Sequence, residues 1–255
     1  MVSPLLINPA TMVADRIKML VYGDIGQGKT TFGFTAPNCL MISVEGGETA
    51  LIRSALAYDP RSRILRVRTM DELRRAYHMI ATNADGLGEF DSYFIDSLTD
   101  IQDKALFEEI TANPKRKRTA PGSPSQEDWQ SVTLTMRQMV MRFRDLPKHV
   151  IFSALYRNDK NPQTPGGYAG ARSIRAELSP AVYKAVSAYM DIVAYITKQQ
   201  EVNPQTNQPT GRVRRLMVFD DPSMTYSSKS RFSLPPYLED PTFMKILELI
   251  HGGSR

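Results

Sequence analysis

The chain of 255 residues holds a single cysteine, Cys39. That excludes an internal disulfide and any cysteine-cluster zinc site. Histidines occur only at positions 78, 149 and 251, and they share no metal-ligand spacing. No uncharged apolar run approaches the roughly 18 residues that a membrane-spanning helix needs, so no membrane partner is expected. The first residues, MVSPLLINPATMVADR, lack a basic start followed by a full apolar segment and do not read as a signal peptide. A reducing cytoplasm is the expected setting. Charge of one sign is also scarce, since 32 Lys plus Arg against 27 Asp plus Glu leave only +5. Such a balance permits a polyanionic partner without demanding one. With 42% apolar and 23% charged residues, wholesale disorder and a fibrous repeat are excluded.

What is present is a series of short apolar runs separated by helical segments. IKMLVYG (17–23), CLMISV (39–44), ILRVR (64–68), SYFID (92–96) and HVIFSAL (149–155) have the length of buried strands. Between them, helices are expected over 29–36, 49–57, 98–111 and 127–144, with another starting at TMDE, where Thr69 and Glu72 have capping-box spacing. Ser179 and Pro180 suit the start of a further helix. DIVAYITK and RVRRLMVFD flank a polar NPQTNQPTG, which predicts an antiparallel hairpin, and a short helix is expected over 242–251. Strands alternating with helices imply an α/β fold with a mostly parallel sheet covered on both faces. Residues 112–126 and 157–176 read as two long polar loops, the first carrying four consecutive cations, Lys115, Arg116, Lys117 and Arg118. Trp129 and the methionines at 136, 139 and 141 fit helix packing better than a ligand site.

One motif carries chemistry. Gly23, Asp24, Ile25, Gly26, Gln27, Gly28, Lys29 and Thr30 fit G-x-x-x-x-G-K-[ST] between a strand and a helix, with Thr31 following. With glycine near 7% of residues, chance gives such a match in a chain this long on the order of 1% of the time. The glycines let backbone N–H groups turn toward phosphates. Lys29 is expected to neutralise the β- and γ-phosphates of ATP, and the Thr30 hydroxyl to ligate Mg²⁺. Asp96, ending an apolar strand, stands where a carboxylate completes the magnesium site; the alternative is an N-cap for the next helix. Ser97 follows it, not glutamate, so a water-activating carboxylate must come from elsewhere. Glu45 is the candidate, because its strand is expected beside the phosphate-loop strand; Glu48 is its nearest rival.

GDIGQGKTT, LMISVEGG, YFIDSLTD, HVIFSAL and SKSRFSLP, in that order, resemble the RecA-like ATPase core, and within it the phage nucleotide-binding proteins of single-strand annealing and recombination. The resemblance spans residues 17–235, with an N-terminal extension over 1–16 and a C-terminal helix within 236–255. It implies a RecA-like P-loop fold with Glu45 as catalytic glutamate and Asp96 as magnesium aspartate. It also implies that Lys229 and Arg231 reach the nucleotide of a neighbouring subunit. The family's polar sensor after the fourth strand is replaced by Ser153, Ala154, Leu155 and Tyr156, leaving Ser153 or Arg157 as substitutes. Loops 112–126 and 158–176 match its DNA-binding loops. Lys115, Arg116, Lys117, Arg118, Arg172 and Arg175 would meet phosphates there, and Tyr168 would stack on a base. The expected function is an ATP-dependent single-stranded-DNA-binding protein of phage recombination or annealing, forming a homo-oligomer in the bacterial cytoplasm. A single-stranded-DNA-binding protein is a further expected partner. The alternative is a nucleotide-gated assembly or loader protein with little DNA-stimulated turnover. A small-molecule kinase is disfavoured, since no compact Arg-rich lid is evident.

Overall fold

The computed structural model describes residues 16–51, 59–120, 122–159, 174–203, 205–206, 208–223 and 225–252. The apolar runs form strands β1 (Lys18–Gly23), β2 (Cys39–Ser43), β3 (Arg63–Arg66), β4 (Ser92–Asp96) and β5 (His149–Asn158). The C-terminal third adds β6 (Ile174–Ala176), β7 (Ile192–Val202), β8 (Pro209–Val218), β9 (Lys229–Ser230) and β10 (Tyr237–Glu239). Along the sheet the order is β3-β2-β4-β5-β1-β7-β8-β10. All neighbours from β3 to β7 pair in parallel, while β8 and β10 are antiparallel. The predicted hairpin is therefore β7–β8, paired from Tyr195↔Val218 to Val202↔Pro209 with an irregularity between Gln200 and Val202. This is a mixed α/β fold with a mostly parallel central sheet, as the sequence pattern predicts.

Alternation along the strands divides the core in two. Leu20, Leu40, Ile42, Ile95, Val150 and Phe152 face one layer of helices. That layer consists of α2 (Met70–Ala81), α3 (Leu98–Ala112), α4 (Gln126–Arg144) and α5 (Pro180–Tyr189). Met19, Val21, Met41, Phe94, Ile151 and Ile196 face the other layer, α1 (Lys29–Gly33) and α6 (Phe243–Gly252). Thr69 caps α2 by accepting from Glu72 N at 3.1 Å, but the Glu72 carboxylate reaches back to Arg68 N, one residue before the cap. Met136 is buried in α4, whereas Met141 is 37% exposed.

Two expectations are corrected, and a third is described only in part. Helix α1 stops at Gly33, where Phe34 caps it, instead of reaching Ala36. Of the segment expected as a helix over 49–57, residues 49–51 belong to a 3₁₀ turn, Gly47–Leu51, and the rest lies outside the described residues. The run after α3 is not four free cations. Arg116 Nη1 binds Glu109 Oε1 at 2.7 Å and Asp128 Oδ1 at 2.8 Å, and Arg118 Nη2 binds Asp128 Oδ2 at 3.1 Å. Asp128 is fully buried one turn into α4 and completes a capping box with Ser125. Burial pushes its carboxyl up, but Ser125 and the two guanidinium groups outweigh this and hold it at about 2. An Arg-rich loop thus becomes the clasp between α3 and α4.

Candidate active site

Strand β1 ends fully buried, and the loop that follows carries two glycines with positive φ, Gly26 at 72° and Gly28 at 100°. Only glycine adopts the second angle without strain, and it turns the chain directly into α1. Lys29 is buried, and its ammonium donates to Gly23 O at 2.9 Å and Asp24 O at 2.8 Å. Burial lowers its pKa; Asp96, Glu45, Asp24 and Asp100 oppose that in turn. The lysine therefore lies inside the curl of the loop, in a field of four carboxylates. Ile25 stands 75% exposed at the loop tip, and Thr31 is buried beneath it in α1.

Asp96 closes the site from β4. It is fully buried, with Oδ2 accepting from Thr30 Oγ1 at 2.8 Å and Oδ1 accepting from Ser153 Oγ on β5. Burial raises its pKa, while Ser153, Thr30 and Lys29 pull it down. The cap of α3 is Ser97, whose hydroxyl accepts from Asp100 N, so Asp96 has no capping duty. Of the two substitutes for the sensor, Ser153 is the one that touches Asp96, while Arg157 pairs with Asp159 at 2.7 Å. Among the described residues no three His, Cys, Asp or Glu side chains gather to hold a metal alone. Mg²⁺ held through one hydroxyl and one carboxylate, with phosphate oxygens and water completing its shell, needs no such cluster. Thr30 and Asp96 fit that donor set.

Glu45 reaches this site by a route the sequence does not reveal. Its strand β2 is not beside β1; β4 and β5 stand between them. The position is recovered at the strand end, where Val44 N and Glu45 N both donate to Asp96 O, at 2.7 and 3.2 Å. Glu45 is exposed to solvent, yet partial burial, then Asp96 and Asp100, raise its pKa against the pull of Lys29. Glu48 is held differently. Its carboxylate accepts from Ser43 Oγ at 2.6 Å and pairs with Arg66, and its pKa is lowered, first by the Ser43 hydrogen bond. Of the two rivals, Glu45 is the one available to a water molecule.

A family model described as an AAA domain matches residues 15–232. The chain belongs to the AAA-domain family. No curated protein matches it. The domain is accordingly a P-loop ATPase, a nucleotide-hydrolysing class. Among the described residues no helix is long and apolar enough to cross a membrane.

The remaining candidates of this AAA domain lie elsewhere. Lys229 donates to Ser187 O at 3.0 Å and Met190 O at 2.7 Å, and Arg231 pairs with Asp191 at 2.8 Å. Both cations therefore sit at the end of α5 within their own chain. Their segment is not a free loop either, because β9 pairs with Ile192 and Val193 of β7. Arg175 binds Asp159 at 2.7 Å and lies over the Tyr183 ring. Tyr168 and Arg172 lie outside the described residues. Lys115 and Lys117 are exposed, unlike the arginines between and after them. Two residues that touch the loop, Lys198 and Arg215, have no sequence signal beyond strand alternation: Lys198 N donates to Gln27 Oε1 at 2.6 Å, and Arg215 lies against Gly28.

Proposed function

We propose that this AAA domain hydrolyses ATP with Glu45 as the general base and uses the cycle to act on single-stranded DNA in phage recombination or annealing. Glu45 carries the hydrolytic part of the reading. It is a carboxylate with a raised pKa that no ion pair among the described residues engages, beside the Asp96–Thr30 pair and Lys29. Bound Mg²⁺ would neutralise phosphate charge. Thr30 and Asp96 would hold it, and Lys29 would leave the loop carbonyls for the phosphates. Glu45 would orient the attacking water and take its proton.

The DNA part rests on the order of the resembling motifs and on exposed Lys115 and Lys117. Assembly into a homo-oligomer belongs to the same proposal. A second reading, a nucleotide-gated assembly or loader protein, is favoured by the engagement of Arg116, Arg118 and Arg175 in ion pairs. ATP turnover with and without single-stranded DNA, read alongside particle size, separates the two. Stimulation by DNA with growth of the particle supports the first. ATP-dependent assembly at unchanged, slow turnover supports the second.

A further inference from the structure

The β7–β8 hairpin runs beside the phosphate loop at close quarters. Ile196 O lies 2.3 Å from where a β-carbon on Gly23 would stand, so only glycine fits there. At Gly28 the corresponding point is 2.8 Å from Arg215 Nε and 3.1 Å from Arg215 Cδ. The guanidinium therefore rests on the residue immediately before Lys29.

Three observations separate this arginine from an ordinary surface cation. Its Nε is buried and has no hydrogen-bond partner among the described residues. An arginine that merely packs its stem sends its charged head to water with its donors satisfied. The adjacent Arg214 is neutralised by Glu201 and Glu239, whereas no ion pair among the described residues engages Arg215. Third, Arg215 stands directly opposite Lys198 across the hairpin. Like charges in that register destabilise a strand pair. Ile196 and Met217, two residues away on each strand, are buried under α1 and α6, so Lys198 and Arg215 continue that same face to the loop.

We infer that Arg215, assisted by Lys198, is an in-chain ligand for the α- and β-phosphates of the bound nucleotide. The inference rests on the nucleotide-binding reading of the loop. The end of the phosphate chain that Arg215 serves follows from strand order. Asp96 and Glu45 come from β4 and β2 on one side of β1, while β7 and β8 lie on the other. A triphosphate whose γ end faces Glu45 turns its α end toward the hairpin. Arg215 then acts on affinity, equally for di- and triphosphate, and not on the water attack.

Calorimetric titration of wild type, Arg215→Gln and Arg215→Lys with ADP and with ATP, each with Mg²⁺, tests this. Loss of a charge-assisted contact predicts about tenfold weaker binding of both nucleotides by Arg215→Gln. Arg215→Lys keeps the charge without the planar fork and should fall between. In turnover the loss should appear in KM. Unchanged affinity in Arg215→Gln, or a loss confined to ATP, overturns the assignment. Equal affinities in Arg215→Lys and a misfolded Arg215→Gln would also overturn it, since the fork would then serve packing alone. If wild type binds neither nucleotide, or Lys29→Ala binds as well as wild type, the loop reading itself fails.

Discussion

At the scale of single residues, the site is decided by which carboxylates are already engaged. Glu48 has Ser43 and Arg66; Glu45 has neither and is held up in pKa by its surroundings. Replacing Glu45 with Gln should leave nucleotide binding intact and lower turnover about 100-fold or more, the usual contribution of a positioned base. Glu48→Gln should turn over within a few fold of wild type, a comparison made by steady-state ATPase assay. Because Glu45 works ionised and its pKa is raised, turnover should fall as pH drops through a value above the ordinary 4.5. Ser153→Ala leaves one oxygen of buried Asp96 unpartnered and should raise the Mg²⁺ concentration needed for half-maximal turnover.

At the scale of elements, the phosphate loop was legible because a strand, a glycine turn and a helix are all local features. The partners of cations were not. Arg116 and Arg118 read as a basic loop because their acid, Asp128, belongs to the next helix and looks like an ordinary capping residue. Lys229 and Arg231 read as free because the carbonyls they bind are about 40 residues upstream, at the end of α5. The sheet order was equally hidden. Local patterning identifies β2 as a buried strand but cannot place two strands between it and β1. A stability prediction follows for the clasp. Ser125→Ala removes only a cap and should cost about 1 kcal/mol. Asp128→Ala removes that cap's partner and leaves Arg118 without its carboxylate and Arg116 with Glu109 but not Asp128, so its urea midpoint should fall further. A midpoint no lower than that of Ser125→Ala would show the ion pairs to be idle.

At the scale of the whole molecule, two predictions concern solution behaviour. His149 accepts from Ile17 N through Nδ1, and burial, then Lys18, depress its pKa from 6.5 to about 4. The folded state therefore resists a proton that the unfolded chain takes up. Stability from this group is complete above about pH 6.5 and is lost as pH falls toward 4. Thermal melts across that range should show the acid loss in wild type and a shallower one in His149→Gln. Nucleic-acid binding, if the proposal holds, draws on two lysines and not four cations. Replacing Lys115 and Lys117 with alanine should flatten the salt dependence of single-stranded DNA affinity by about 1.4 in log–log slope, at roughly 0.7 per phosphate. The same slope in both proteins would place the DNA contacts elsewhere.

Whether this AAA domain hydrolyses nucleotide with Glu45 as its base is tested most directly by paired binding and single-turnover measurements on Glu45→Gln. ATP affinity should stay within a few fold of wild type while cleavage slows about 100-fold or more. Cleavage at the wild-type rate with ATP bound would contradict that role.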